Sequence, residues 1–340
     1  MHLEKSSAQA AVVPILPTIL FTIPLSIPYL LLLRFATSKF LLPSTRTKIS
    51  KFFASILILP PIIFLSTFDT APNTNRYRFM ILWPWEEQKL VQISKENVET
   101  VIGSEALVPS DDPRTQMFEQ ICHRLWKQGV IEKYKNNVMI KEPIVYLIDN
   151  EELLDGVSYP CSAITLTTCW LRLLDYDENL IAAIIAHEIA HIIQNHASEF
   201  YGMSFIIKVM TRLGEMFGNL IPGLNKEGIK RRPLHFLQQH SQMLEREADL
   251  LGQEIMARAG YDPAKAIELW ELMVSLEETN KSSMEQLQIP KSSHDEEGRG
   301  IRHSSDITFK YHPLKEHRVK YLTENLLQVQ HLYVNYKKID

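Results

Sequence analysis

The stretch IIAHEIAHIIQNH, Ile184–His196, places two histidines and a glutamate inside a very apolar run. A chain rarely buries three ionisable groups together without giving them partners. Residues four apart share one face of a helix, so His187 and His191 can direct their imidazoles at one metal ion. Glu188 lies beside them, where its carboxylate can take a proton from an attacking water molecule. H-E-x-x-H on a helix therefore predicts a peptidase zinc site, and chance spacing of core residues is the alternative.

A zinc site of this kind needs a third protein ligand and one open position. One known continuation of the motif requires Gly at position 194 and His at position 197, but the chain has Gln194 and Ala197 there. The better candidate lies in the sequence EREAD, where Glu245 and Asp249 are four residues apart and share one helix face. Glu245 can bind the ion, while Asp249 accepts a hydrogen bond from the other ring nitrogen of a ligand histidine.

Two neighbouring residues are weaker candidates for the same site. His196 follows His191 by five residues and is expected to point away from the metal face, at the helix end or as support for a ligand. Glu247 is expected on a different face of its helix from Glu245, and it is the weaker alternative for the third ligand.

The remaining patterns predict mainly helices with a few strands, which is an α+β fold. The motif helix has Asp177 or a neighbour as its N-cap and apolar residues on nearly every side, as is typical of a buried helix. Gly260 closes the helix that carries EREAD. Further helices are predicted within residues 109–129 and 263–279 and after residue 313, and strands at residues 78–82, 144–149 and 162–168. The polar, Ser-rich residues 280–308 predict a flexible loop.

Two apolar segments precede this domain and are predicted to cross a membrane, at about residues 8–33 and 52–68. The loop between them, residues 34–51, carries five basic residues and no acidic residue, which keeps it on the cytoplasmic or matrix side. We therefore expect a membrane anchor over residues 1–69 and a folded domain over residues 70–340, on the opposite side from the loop. A signal peptide for the first segment and a buried core helix for the second are the alternatives.

Charge is distributed unevenly along the chain. Residues 1–51 hold six Lys or Arg against one acidic residue, whereas the remainder holds 30 basic and 39 acidic residues, a net charge of −9. A net-acidic main domain argues against nucleic acid as a partner. Cys122, Cys161 and Cys169 make no C-x-x-C pair and no even-numbered framework, so free thiols are expected, with one Cys161–Cys169 bridge as the alternative.

HEIAH followed by EREAD resembles the membrane-associated gluzincin metallopeptidases, a family that includes HtpX and the CaaX prenyl endopeptidases. Three further stretches, TNRYRFMIL, AGYDPAKAIELWELM and YHPLKEHRVKYL, are similar to mitochondrial inner-membrane members of that family, whose activity overlaps that of the m-AAA protease. The resemblance covers roughly residues 70–335. It implies a mainly helical, zincin-like (gluzincin) metallopeptidase domain with a small sheet.

The resemblance also implies roles for individual residues. It implies one zinc ion per chain, bound by His187, His191 and Glu245. Glu188 is implied as the general base, and Asp249 as the support of a ligand histidine. His312 and Arg318 are implied to approach the active site as catalytic candidates, either stabilising the oxyanion or closing the cleft. The chain departs from the family in the sequence DGVSYPCSAITLTT, where a strand can still bind an extended peptide but the groove differs.

Together these observations predict a membrane-anchored zinc endopeptidase that hydrolyses membrane or membrane-proximal proteins. The resemblance implies the mitochondrial inner membrane, with the peptidase domain facing the intermembrane space, and a role in protein quality control. Predicted partners are protein substrates and the lipid bilayer, and the sequence leaves a homo-oligomer open. A CaaX-type prenyl-protein processing peptidase and a non-catalytic membrane scaffold or chaperone are the alternatives. The apolar stretch Phe200–Leu224 is a core helix, a lid over the cleft or a segment that enters the bilayer.

Overall fold

The computed structural model of the chain describes residues 67–72, 74–80, 82, 84–103, 106–131, 133, 141–220, 226–286 and 315–336. The two predicted spans and the basic loop lie outside these ranges, apart from Thr67 and Phe68 at the end of the second span. Within the described ranges, no helix combines the length and the apolarity needed to cross a bilayer. The chain divides into two compact units, residues 1–81 and 82–340, which are described separately.

The first unit contains a pair of short antiparallel strands. β1 (Phe68–Thr70) pairs with β2 (Tyr77–Phe79). Arg78 donates hydrogen bonds from Nε and Nη2 to Asp69 Oδ2, at 3.2 and 2.9 Å. The predicted strand over residues 78–82 therefore begins one residue earlier and ends at Phe79. Phe68, the last residue of the second predicted span, belongs to β1.

The second unit contains a three-stranded mixed sheet. Its strands are β3 (Ile144–Ile148), β4 (Gly156–Tyr159) and β5 (Ala163–Thr167), in the order β3-β5-β4. β5 is central and buried along its whole length, parallel to β3 and antiparallel to β4. The predicted strands over residues 144–149 and 162–168 are confirmed to within one residue at each end. β4 was not predicted separately, and in the described part of the chain it forms one edge of this sheet.

Most of the second unit is helical, which confirms the mainly helical α+β prediction. In chain order its described helices are α1 (Pro84–Ile102), α2 (Pro113–Arg124), a π-helix (Leu125–Ile131), α3 (Cys169–Leu173), α4 (Glu178–Gln194), α5 (His196–Leu220), α6 (Lys226–Arg258), α7 (Lys265–Gln286) and α8 (Lys315–Tyr336). α1 was not predicted. The predicted flexible loop is wrong over residues 280–286, which are the end of α7, and residues 287–308 lie outside the described ranges.

α4 is the buried helix that the motif predicted. Asp177 caps it by accepting hydrogen bonds from the backbone N–H groups of Asn179 and Leu180, at 2.9 and 3.4 Å. The helix ends at Asn195, whose left-handed conformation, with φ of 55°, turns the chain into α5. α4 packs mainly against α6, so the two helices that carry the predicted ligands lie side by side.

α4 and α6 approach closely at Gly252. A Cβ atom built there would lie 3.1 Å from the backbone nitrogen of His187 and 3.2 Å from its Cα. Both atoms belong to the backbone of a buried helix, so a side chain at this position has to push the two helices apart.

We expect Gly252→Ala to lower the free energy of unfolding by about 1–3 kcal/mol, because it overpacks this helix contact. We also expect weaker metal binding, because α6 carries Glu245. Denaturant unfolding and a metal titration measure the two effects. Gly103→Ala, at an exposed turn, is the control. Unchanged stability and metal affinity in Gly252→Ala would contradict this packing argument.

The apolar stretch between the two predicted metal-binding helices falls largely in α5. Met203 is buried there, whereas Tyr201 and Phe205 are 55% and 61% exposed. One face of this part of α5 therefore packs on the domain, and the other face exposes these two aromatic side chains. This packing is compatible with a core helix, a lid or a bilayer segment, so all three alternatives stay predictions.

Candidate metal centre

The three predicted metal ligands converge where α4 packs on α6. His187 Nε2 lies 3.1 Å from His191 Nε2. The two carboxylate oxygens of Glu245 lie 3.3 Å from His187 Nε2 and 3.4 Å from His191 Nε2. One donor atom of each residue lies within 4.8 Å of the other two. Two imidazoles and a carboxylate thus face one point, as three protein ligands of a tetrahedral metal ion do.

Asp249 holds the far side of the His187 ring. Its Oδ1 lies 3.0 Å from His187 Nδ1. A carboxylate at this place keeps the proton on Nδ1 and leaves Nε2 free to bind a metal. Burial alone would lower the pKa of His187, but Asp249 and Glu245 outweigh it and raise the pKa above its ordinary value. The surroundings of this ring therefore favour a positive charge.

Arg318 is buried behind these carboxylates. Its Nε and Nη2 donate hydrogen bonds to Asp249 at 2.7 and 2.5 Å, and its Nη1 donates to Glu245 at 3.2 Å. Its guanidinium carbon lies 3.3 Å from the centroid of the Trp270 ring, and Tyr321 also donates a hydrogen bond to Asp249. Burial alone would raise the pKa of Asp249, but Arg318 and His187 together outweigh it and the pKa falls to about 2. Asp249 is therefore ionised at neutral pH.

The position of Arg318 agrees with only part of the role that the family resemblance implied for it. The residue does reach the site, as expected. All three of its guanidinium nitrogens, however, donate to the two carboxylates, and the residue is only 2% exposed. These contacts favour a role in orienting Glu245 and Asp249 over a role in stabilising an oxyanion.

His196 lies at the start of α5 and contacts the second ligand histidine. Its Nδ1 is 2.9 Å from His191 Nδ1, and its Nε2 is 3.3 Å from Glu247 Oε2. Burial lowers the pKa of His196 and Glu247 opposes that shift only in part. His196 was expected at the helix end or as support for a ligand, and this geometry agrees with support of His191. Glu247 contacts His196, a link to the site that spacing along α6 did not suggest.

A mainly apolar cavity of about 70 Å³ adjoins the metal ligands. Its walls come from α3, α4, α6, α7, α8, the start of β4 and Leu154 just before it. Glu188, which is 7% exposed, lines the cavity together with His187. The apolar lining includes Trp170, Ala183, Ile184, Leu269, Trp270 and Met273. The predicted general base thus faces a space that can hold an apolar side chain.

Comparison with known families matches residues 152–326, just over half of the 340 residues, to Peptidase family M48. The chain belongs to peptidase family M48. Similar curated proteins include the mitochondrial metalloendopeptidase OMA1 of Schizosaccharomyces pombe, 24% identical over 230 residues, and that of Saccharomyces cerevisiae, 22% identical over 228 residues. These alignments cover 66% and 64% of this chain, and 63% and 62% of the two relatives. The chain thus spans less than two thirds of the length of either relative.

The matched M48 segment contains nearly all of the predicted site. α4, α6 and Arg318 fall within residues 152–326, and so does the cavity beside Glu188. His312 also falls in the segment but lies outside the described residues, so its predicted role stays a prediction.

The donor set of this M48 chain fits a dication such as zinc. Two imidazole nitrogens and one carboxylate oxygen are the ligand types of catalytic zinc sites that keep a fourth position open. The acidic side chains Glu188, Glu245 and Asp249 surround this point together with Arg318. When ionised, these three carboxylates and the single guanidinium carry a net charge of about −2, which a dication neutralises.

Proposed function

We propose that the protein is a membrane-anchored, zinc-dependent endopeptidase that hydrolyses peptide bonds of proteins in or near a membrane. The observation that carries the proposal is the convergence of His187, His191 and Glu245 at one point, next to Glu188 and a side-chain-sized cavity. A membrane scaffold needs neither the base nor the cavity, so this set favours an enzyme.

Each residue of the set has a definite task in peptide hydrolysis. His187, His191 and Glu245 would hold a zinc ion, which would supply Lewis-acid chemistry to the scissile carbonyl and to a water molecule. Glu188 accepts the proton of the attacking water and delivers it to the leaving amine. Asp249 holds His187 in the tautomer that exposes Nε2, and Arg318 fixes Asp249 and Glu245.

The sheet edge and the cavity together suggest how a substrate binds. Gly156 is the first residue of β4 and also lines the cavity. An extended peptide that adds to β4 by backbone hydrogen bonds would therefore pass the cavity and place one side chain in it. Because the lining is mainly apolar, the favoured side chain next to the scissile bond is apolar.

We expect Ala183→Leu, which fills the cavity, to lower the preference for Leu over Gly next to the scissile bond by about tenfold. The measurement is the ratio of kcat/KM for two peptides that differ at this residue, because the ratio does not depend on the fraction of folded enzyme. Ala182→Leu is the matched control, since Ala182 is also buried in α4 but does not line the cavity. Equal ratios in Ala183→Leu and the wild type would contradict the assignment of the cavity.

The location of the enzyme rests on the N-terminal sequence and on its relatives. We propose the mitochondrial inner membrane, with the domain facing the intermembrane space and a role in protein quality control. The two predicted spans and their basic loop support the anchor and its orientation. Both OMA1 relatives are named mitochondrial metalloendopeptidases, which supports a mitochondrial location.

The test of the proposed function is cleavage of an unfolded membrane protein by the detergent-purified full-length chain. We expect cleavage that stops when a chelator removes the metal and returns when zinc is added back. Cleavage that persists after complete removal of the metal would contradict a zinc peptidase. A zinc-loaded chain that cleaves no member of a panel of unfolded proteins would contradict an endopeptidase and favour a scaffold.

A further inference from the structure

The two ligand histidines are supported in different ways. Asp249 contacts His187 directly. His191 contacts another imidazole instead, that of His196, and Glu247 lies on the far side of that ring. His196 and Glu247 are only 2% and 8% exposed, so this row of groups is shielded from solvent.

Hydrogen-bond chemistry determines which group donates at each contact between Glu247, His196 and His191. An ionised carboxylate only accepts hydrogen bonds, so Glu247 requires a proton on His196 Nε2. A neutral imidazole then has an acceptor at Nδ1, and His191 must donate its own Nδ1 proton across the 2.9 Å contact. His191 Nε2 is left without a proton, and this is the atom that faces Glu245 and His187. The reverse direction would put a proton on the atom that has to bind the metal.

The fold places these groups together through a turn. Asn195 adopts the left-handed conformation between α4 and α5, so His196 turns back toward the ring of His191. α6 supplies the carboxylate from the opposite side. The three acidic residues of EREAD then serve one site, with Glu245 at the metal position, Asp249 behind His187 and Glu247 behind His196.

We propose that His196 and Glu247 are positioning residues that fix the tautomer of His191 and thereby set the affinity of the site for zinc. The proposal rests on the metal site of the proposed function. Residues that orient a ligand histidine change metal affinity by about 10–100-fold when they are removed.

The experiment is a chelator competition that measures the zinc dissociation constant of the full-length, detergent-purified protein. We expect His196→Leu to raise this constant by about 10–100-fold. His196→Asn should retain most of the affinity, because the Asn side-chain oxygen can accept a hydrogen bond near the position of His196 Nδ1. Glu247→Leu should weaken binding as His196→Leu does, whereas Glu247→Gln keeps an acceptor oxygen and should weaken it less. The absorption spectrum of the cobalt-substituted protein reports on the ligand geometry independently of activity.

His240→Leu is the matched control. His240 is also a buried histidine with a carboxylate partner, since its Nε2 lies 2.9 Å from Glu199, so its loss disturbs the core to a comparable degree. We expect this variant to bind zinc as the wild type does. Three results would each overturn the proposal. They are wild-type affinity in His196→Leu, equal losses of affinity in His196→Asn and His196→Leu, and a loss in His240→Leu equal to that in His196→Leu. A wild-type chain that binds no zinc would overturn the proposed function itself, and with it the proposed role of His196 and Glu247.

Discussion

Replacing Glu188 with Gln is expected to lower kcat/KM for peptide cleavage by about 10²–10⁴-fold while the protein keeps its zinc. Glu188 lines the cavity beside His187 but does not belong to the three residues whose donor atoms converge. The amide of Gln fills the same space and cannot accept the proton of the attacking water. Proton transfer is therefore lost without a change in the ligand set. Rates on one unfolded substrate and the zinc content of the same preparations are the two measurements.

The control for this variant is Glu178→Gln, which removes an exposed carboxylate from the first turn of the same helix. It should cleave and bind zinc as the wild type does. Two results would count against the assignment of Glu188. The first is a variant that cleaves at the wild-type rate, and the second is a variant that loses both cleavage and zinc, which would make Glu188 a structural residue or a ligand.

Arg318→Leu is expected to lower the free energy of unfolding by about 3–5 kcal/mol, because it leaves two buried carboxylates without their cation. Asp249 accepts two hydrogen bonds from this guanidinium, and Glu245 accepts a third. We expect a larger loss in the metal-free protein than in the zinc-loaded protein, because the bound ion offsets part of the negative charge. Arg318→Lys should restore only part of the stability, because an ammonium group cannot donate to both carboxylates in the same fork geometry.

Arg172→Leu provides the comparison at the surface. Arg172 pairs with Glu151 at 3.3 Å, but the side chain is 67% exposed. Solvent screens such a pair, so its removal should lower the free energy of unfolding by no more than about 1 kcal/mol. Chemical denaturation with and without zinc measures both variants. Equal, small effects of the two substitutions would show that Arg318 does not hold the carboxylates in place.

The residues that could be predicted from the sequence are those whose spacing along a single helix fixes their direction. His187 and His191 are one helical turn apart, and so are Glu245 and Asp249. This spacing places each pair on one face of its helix. The packing of α4 against α6 then brings the ligands together. The start of α4 followed from Asp177 for a similar reason, because a cap is a local interaction.

The sequence left open whether His196 only ends the helix or supports a ligand, because the answer depends on a turn between two helices. Helical spacing extended through His196 directs this residue away from the metal face. The left-handed Asn195 breaks that spacing and returns His196 to the site. An Asn beside an apolar helix end is a signal for such a turn, but it does not indicate which residue the next side chain will meet.

Other differences arose where tertiary contacts decide the structure. α1 begins at Pro84, and its buried face includes Leu90, Ser94 and Val98, which makes a weak apolar pattern. Glu87 of this helix accepts hydrogen bonds from Asn195 and Ser198, so α1 packs on the turn after α4. The direction of Arg318 likewise depends on where α8 lies against α6, a distant part of the sequence.

The measurement that tests the central claim most directly is the zinc content of the full-length chain and of Glu245→Ala, purified side by side. Glu254→Ala, which removes another carboxylate from α6, serves as the control. The account predicts about one zinc ion per chain in the wild type and in the control, as expected of a single site with three protein ligands. It predicts almost none in Glu245→Ala. Zinc retained at the wild-type level in Glu245→Ala, or absent from the wild type, would contradict it.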